Sequence, residues 1–227
     1  VRRDRETTVR TPLYPAPPAP PEPTPPTNRR AWGKIPYEER FRQQHRELLD
    51  AAAALAIERG VAGTSIAAIT THAGLAKRVF YEHFADKEAC FAELLRQIGA
   101  ARVGAAWVAA EAAAGDTPFE VIRAVIRALI DFRETDPRLL AAIRADALPA
   151  STRADAGAEH RAQVADLLVA VALRLGSELP AETIQLAALL LVNGVADLGA
   201  ELRRRRGALR ELTTIACLAF GLSAQNS

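Results

Sequence analysis

The chain has 227 residues, a formal net charge of +2 and 49% apolar residues. That length and composition suit one small domain plus one of ordinary size, each with a filled core. Mean hydropathy near zero and no long uninterrupted apolar run exclude a membrane span, and the balanced charge excludes a uniformly basic nucleic-acid binder, so any DNA contact has to be local.

Residues 1–33 read as a tail. Nine prolines fall between Pro12 and Pro26, a composition that gives extended or disordered chain. The tail is either a solvated leader or an arm whose arginines, Arg29 and Arg30 above all, reach phosphates or a minor groove. No apolar stretch follows its arginines, so it is no signal peptide and the protein is expected in the cytoplasm.

The apolar spacing of Phe41, Leu48, Leu49, Ala52, Leu55 and Ala56 predicts a first helix from Tyr37 to Arg59, ended by Gly60. Ile66, Ile69 and Ala73 predict a short second helix, with Thr64 or Ser65 as its N-cap and Gly74 at its end. The pattern restarts at Leu75, Val79, Phe80 and Phe84. Between those positions lie Lys77, Arg78, Tyr81, Glu82 and His83. Two helices joined by a tight Gly turn form a helix-turn-helix, whose second helix fits the DNA major groove.

A long helix is predicted from Asp86 to about Ala113, with Phe91, Leu94, Leu95, Ile98, Ala105 and Val108 on its inner stripe. Others follow at about 117–134, 136–147, 151–175, 181–206 and 208–222, for nine helices and no strands. Ile184, Leu191, Val195 and Leu198 fall on one stripe of the penultimate helix. Leu212, Ile215 and Ala219 fall on one stripe of the last. Two such helices ending an all-α domain suit a four-helix interface between two copies.

The order Thr64-Ser65-Ile66, Ile69, Ala73-Gly74-Leu75, Phe80-Tyr81, His83-Phe84, Lys87-Glu88 resembles the DNA-binding domain of the tetracycline-repressor (TetR) family, over about 50 residues. The resemblance implies an all-α protein with a three-helix DNA-binding domain at residues 34–84. A helical ligand-binding and dimerisation domain would occupy 85–227. It implies phosphate contacts from Thr64, Ser65, Tyr81, His83 and Lys87. Base reading falls to the first turn of the second motif helix, at Lys77, Arg78 and Val79. An arginine there suits guanine, and a valine a thymine methyl. Three positions depart from the family pattern. Ala76 stands where a capping Ser or Thr is usual, Ala67 where a polar residue often faces the backbone, and Thr70 where a packing Ala is usual.

The resemblance also implies a small-molecule effector held among the middle helices. Trp107, Phe119, Arg123, Arg127, Phe132, His160 and Asn193 are the candidate lining. Asn193 serves equally as a hydrogen-bonding residue at a dimer interface. Arg203 to Arg206 either complement a helix C-terminus or form a second basic patch.

No constellation for catalysis stands out. His45, His72, His83 and His160 are isolated, and no metal-ligand spacing or phosphate loop is present. Cys90 and Cys217 have no partner spacing and read as small buried apolar residues. No cofactor is expected. The reading is a bacterial DNA-binding regulator, probing a palindromic operator as a homodimer and responding to a ligand as a repressor. The competing reading is a helical interaction module with degenerate DNA binding that acts through a protein partner.

Overall fold

The computed structural model describes residues 36–135, 148–205 and 207–224, without side chains at 133–135, 152 and 196–204. The proline-rich tail, the helix expected at 136–147, the side chains of Leu198 and Asp197, and most of the Arg203 to Arg206 run lie outside the described residues. Within them the chain forms eight helices and no strand: α1 Tyr37–Arg59, α2 Ile66–His72, α3 Lys77–His83, α4 Lys87–Ala112, α5 Pro118–Thr135, α6 Ala150–Arg174, α7 Ala181–Arg204 and α8 Ala208–Ala219. None of these helices is long and apolar enough to cross a membrane.

Helix ends follow local chemistry. Gly60 at the end of α1 and Gly74 after α2 both take positive φ, 75° and 67°, which only glycine adopts cheaply. The Gly74 turn closes with Leu75 N–H donating to Thr70 O at 2.9 Å and Gly74 N–H to Thr71 O at 3.2 Å, a Schellman-type stop. Ser65, not Thr64, caps α2, its Oγ accepting from Ala68 N–H at 3.2 Å. Asp86 caps α4 through Ala89 N–H at 2.7 Å.

Two cores form. The first joins α1, α2 and α3 to the start of α4 around Leu48, Leu55, Ile69, Phe80, Phe84 and Leu94. The second joins the rest of α4 to α5, α6, α7 and α8 around Trp107, Phe119, Ile122, Leu167, Ile184 and Phe220. They meet inside α4, between Ile98 and Val103. Leu148, just before α6, is buried in the first core, and Phe132 near the end of α5 packs against it. The larger body therefore grips the small head at two further points. Val108, expected on the inner stripe of α4, is exposed, because the helix turns that face outward beyond Ala106. Arg174 of α6 pairs with Glu111 of α4 and pins those helices at the far end. Both cysteines are buried and unbridged, and burial pushes the Cys90 thiol up to about 12.

Candidate nucleic-acid interface and cavity

Helix α3 divides its side chains cleanly. Phe80 is fully buried and Phe84 nearly so, while Lys77, Arg78 and Tyr81 face solvent, Tyr81 being 52% exposed. The buried phenylalanines seat the helix on α1 and leave its first turn proud of the surface. The Lys77 ammonium lies 5.9 Å from the Tyr81 ring. Arg78 makes an ion pair with Glu82 at 3.6 Å. Exposed pairs of this kind contribute little, so Arg78 exchanges its partner readily. Val79 is half-buried.

Ala76 holds the N-cap position of α3 with extended backbone and no side-chain cap bond. The gap read in the sequence is real. Thr70 fits its unusual place by donating its hydroxyl to Ile66 O at 3.0 Å and Ala67 O at 3.1 Å.

Two expected phosphate contacts are corrected. Thr64 is 2% exposed. Its hydroxyl donates to Gly60 O at 2.8 Å and its N–H to Val61 O at 3.2 Å. A hydroxyl has one proton to give, so neither donor is left for phosphate. His83 is also turned inward. Both ring nitrogens are buried without a hydrogen-bond partner. The ring lies against Phe41 at 4.0 Å between centroids and His45 at 5.4 Å. Burial first, then the neighbouring His45, hold its pKa below the ordinary value. His83 therefore clamps α3 to α1.

Ser65 keeps its hydroxyl proton free at the surface while its oxygen caps α2. Lys87 donates to Val61 O at 3.3 Å. An ammonium has three donors, so this bond steers Lys87 without exhausting it. Ser65, Lys77, Arg78 and Tyr81 thus form the exposed polar set around the motif, with the half-buried Lys87 beside it.

A cavity of about 200 Å³ lies in the larger body. Its apolar wall comes from Leu129 and Ile130 of α5, Val164 and Leu168 of α6, and Val192 of α7. Arg102 of α4 and His160 and Arg161 of α6 supply its polar groups. Arg102 donates Nε–H to Leu129 O at 2.8 Å and meets His160 Nε2 at 3.1 Å. A guanidinium only donates, so Nε2 accepts and the imidazole proton sits on Nδ1. That Nδ1 is buried with no partner. Burial, then Arg102, then Arg161 hold the His160 pKa down to about 4.

Of the residues expected around a ligand, only His160 borders this cavity. Trp107 and Phe119 are buried in the second core. Arg123 and Arg127 face solvent, paired with Glu120 at 2.5 Å and Asp131 at 3.4 Å. Phe132 packs toward the head. Asn193 is exposed and donates to Leu189 O at 2.8 Å. Arg102 and Arg161 were missed, although each fills a gap in an apolar stripe: Arg102 between Ile98 and Ala105, and Arg161 before Val164 and Leu168.

The expected dimer stripe also divides. Ile184 is fully buried in its own core, so it cannot reach a second copy. Leu191, Val195 and Leu212 line the cavity. Ala219 is partly buried against the second core. Among the described side chains of the stripe only Ile215 projects outward, beside three residues the stripe omitted: Leu186, Leu190 and Leu218. These four are 51% to 67% exposed.

Residues 48–94 match the family model for bacterial regulatory proteins, tetR family. No curated protein matches the sequence. Among solved structures, the fold is similar to a protein of Pseudomonas aeruginosa PAO1 assigned as a transcriptional regulator, with a TM-score of 0.54, 22% identity, and coverage of 84% of this chain and 92% of that one. It is similar to a protein of Mesorhizobium loti MAFF303099 assigned to the TetR family, with a TM-score of 0.52, 24% identity, and coverage of 80% and 95%. A TetR family transcription regulator from Marinobacter aquaeolei VT8 gives a TM-score of 0.51, 17% identity, and coverage of 81% and 97%. At these identities the likeness is one of fold.

Proposed function

We propose, from the premise that this chain is a TetR family transcriptional regulator by the domain at residues 48–94, that it reads a palindromic operator as a homodimer and releases it on binding a small molecule. Residues 34–84 serve as the reading head and 85–227 as the effector-binding and dimerising body. The observation that carries the reading is the split of α3, with Phe80 and Phe84 sunk in the core and Lys77, Arg78 and Tyr81 outside. Lys77, Arg78 and Val79 read bases in the major groove. Ser65, Tyr81 and Lys87 hold phosphates and make binding salt-dependent.

The exposed Leu186, Leu190, Ile215 and Leu218 support pairing of two copies through α7 and α8. Cavity, α5 and head are contiguous: Leu129 and Ile130 border the cavity, and Phe132, on the same helix, packs on the head core. A ligand that spreads the cavity walls then changes the spacing of the two heads and favours the state that does not fit DNA.

Selection of bound duplexes from a random pool, followed by salt titration of the winner, tests the proposal. An enriched inverted repeat with a steep salt slope is expected. Weak, unselective binding that salt abolishes overturns it and favours an interaction module working through a protein partner.

A further inference from the structure

Two arginines border the cavity, and no carboxylate is among its lining residues. Arg102 and Arg161 both border it, and every other described lining residue except His160 is apolar or glycine. Arg102 is anchored by Leu129 O and His160. The Arg161 side chain has no hydrogen bond or ion pair among the described residues. Its guanidinium lies back over Gly157, where a Cβ would come within 3.1 Å of Nη1. The missing side chain at 157 gives it room to sit at the cavity edge.

A guanidinium beside apolar walls is poorly solvated and gains most from an anion that takes its paired donors together. A neutral ligand leaves the Arg161 charge unmatched, and a cation is repelled by it. The space is about 200 Å³. It suits a compact ligand body.

We infer that the cavity binds a small organic carboxylate with an apolar body, its carboxylate held by Arg161 with support from the anchored Arg102. This rests on the reading of the cavity as the effector site, and names what that effector is chemically. His160 acts as a positioning residue, since its Nε2 holds Arg102 while its Nδ1 is turned toward Gly99.

The test uses the full chain and three probes of equal length: octanoate, octanol and octylammonium. Calorimetric titration should show octanoate binding about tenfold or more tighter than octanol, with octylammonium failing to saturate at millimolar concentration. Arg161→Gln should erase the preference for octanoate, and Arg161→Lys should restore part of it. All three proteins should show the same helical circular dichroism, so that a lost preference is not lost folding. Equal binding of octanoate and octanol, or a preference that survives Arg161→Gln, overturns the inference. So does octanoate that does not bind, and operator binding in the same preparation then leaves the regulator reading standing. Octanoate that binds through Arg161 without altering operator affinity sinks the effector reading and leaves the ligand class intact.

Discussion

A Cβ on Gly99 would lie 2.9 Å from Nδ1 of His160 and 3.3 Å from its Cγ, so α4 approaches α6 here only because residue 99 has no side chain. The contact fixes the imidazole from one side, while Arg102 fixes it from the other at 3.1 Å. Gly99→Ala must displace the ring and stretch the Arg102 contact. The expected loss is about 1–3 kcal/mol, read as a lower urea midpoint with an unchanged slope. Gly194→Ala, inside α7 with nothing within 4 Å of the added Cβ, is the control and should be neutral or stabilising.

The same imidazole makes stability depend on pH. His160 titrates at about 4 when folded, against 6.5 ordinarily. The unfolded chain therefore binds a proton in the range where the native protein refuses it. Stability from this group is complete above pH 6.5 and is lost as pH falls toward 4, by up to about 3 kcal/mol. His45 and His83, both lowered first by burial, act with the same sign. Urea midpoints measured across this range should fall with acid more steeply in the wild type than in His160→Gln. Parallel curves would show that the imidazole is not buried as described.

The uncapped start of α3 gives a gain-of-stability prediction. Ala76 already has the extended backbone of a cap residue but offers no acceptor. Ala76→Ser should stabilise the head by about 1 kcal/mol, seen as a higher melting temperature. A serine hydroxyl there also adds a donor at the DNA face, so affinity should rise for operator and unrelated duplex alike. Higher stability without tighter binding would place residue 76 off the phosphate path.

Much of this was legible in the residues themselves. The boundaries of α1 and the stop at Gly74 follow from apolar spacing and from glycine's tolerance of positive φ, both local properties. What stayed hidden was the choice of face. Leu190 and Leu191 are adjacent on a helix apolar all round, yet one faces solvent and the other the cavity. Periodicity cannot choose between them, because the choice depends on where α6 and α8 pack. His83 was misjudged for the same reason: Phe41 and His45, one turn apart on α1, cover it from a distant part of the chain. Arg102 and Arg161 did leave a signal, a charge standing where an apolar stripe required a hydrophobe.

Thr64 and Lys87 sit near each other in the motif but should fail differently. Thr64→Val removes the bond to Gly60 O and should cost about 1 kcal/mol of stability, with operator affinity unchanged once the protein is folded. Tyr81→Phe and Lys87→Ala should leave melting almost unchanged and weaken operator binding. Lys87→Ala should also flatten the salt dependence by about one unit of slope. A Thr64→Val protein of full stability that has lost operator binding would return that hydroxyl to the DNA interface.

Pairing of copies can be separated from folding by two glutamates. Leu190 and Leu218 are exposed, so Leu190→Glu and Leu218→Glu bury no charge within one chain. Each should leave the helical circular dichroism intact. If α7 and α8 form the interface, each places a carboxylate in the middle of an apolar contact, where its desolvation is unrepaid. Sedimentation should then show a monomer. Affinity for an inverted repeat should fall by about a hundredfold, since the second head no longer binds at high local concentration. Affinity for a single half-site should not change. Ile184→Glu provides the contrast: that residue is fully buried in its own core, and its charge should unfold the body rather than split a dimer. Dimers that persist in both exposed variants would move the interface to another face.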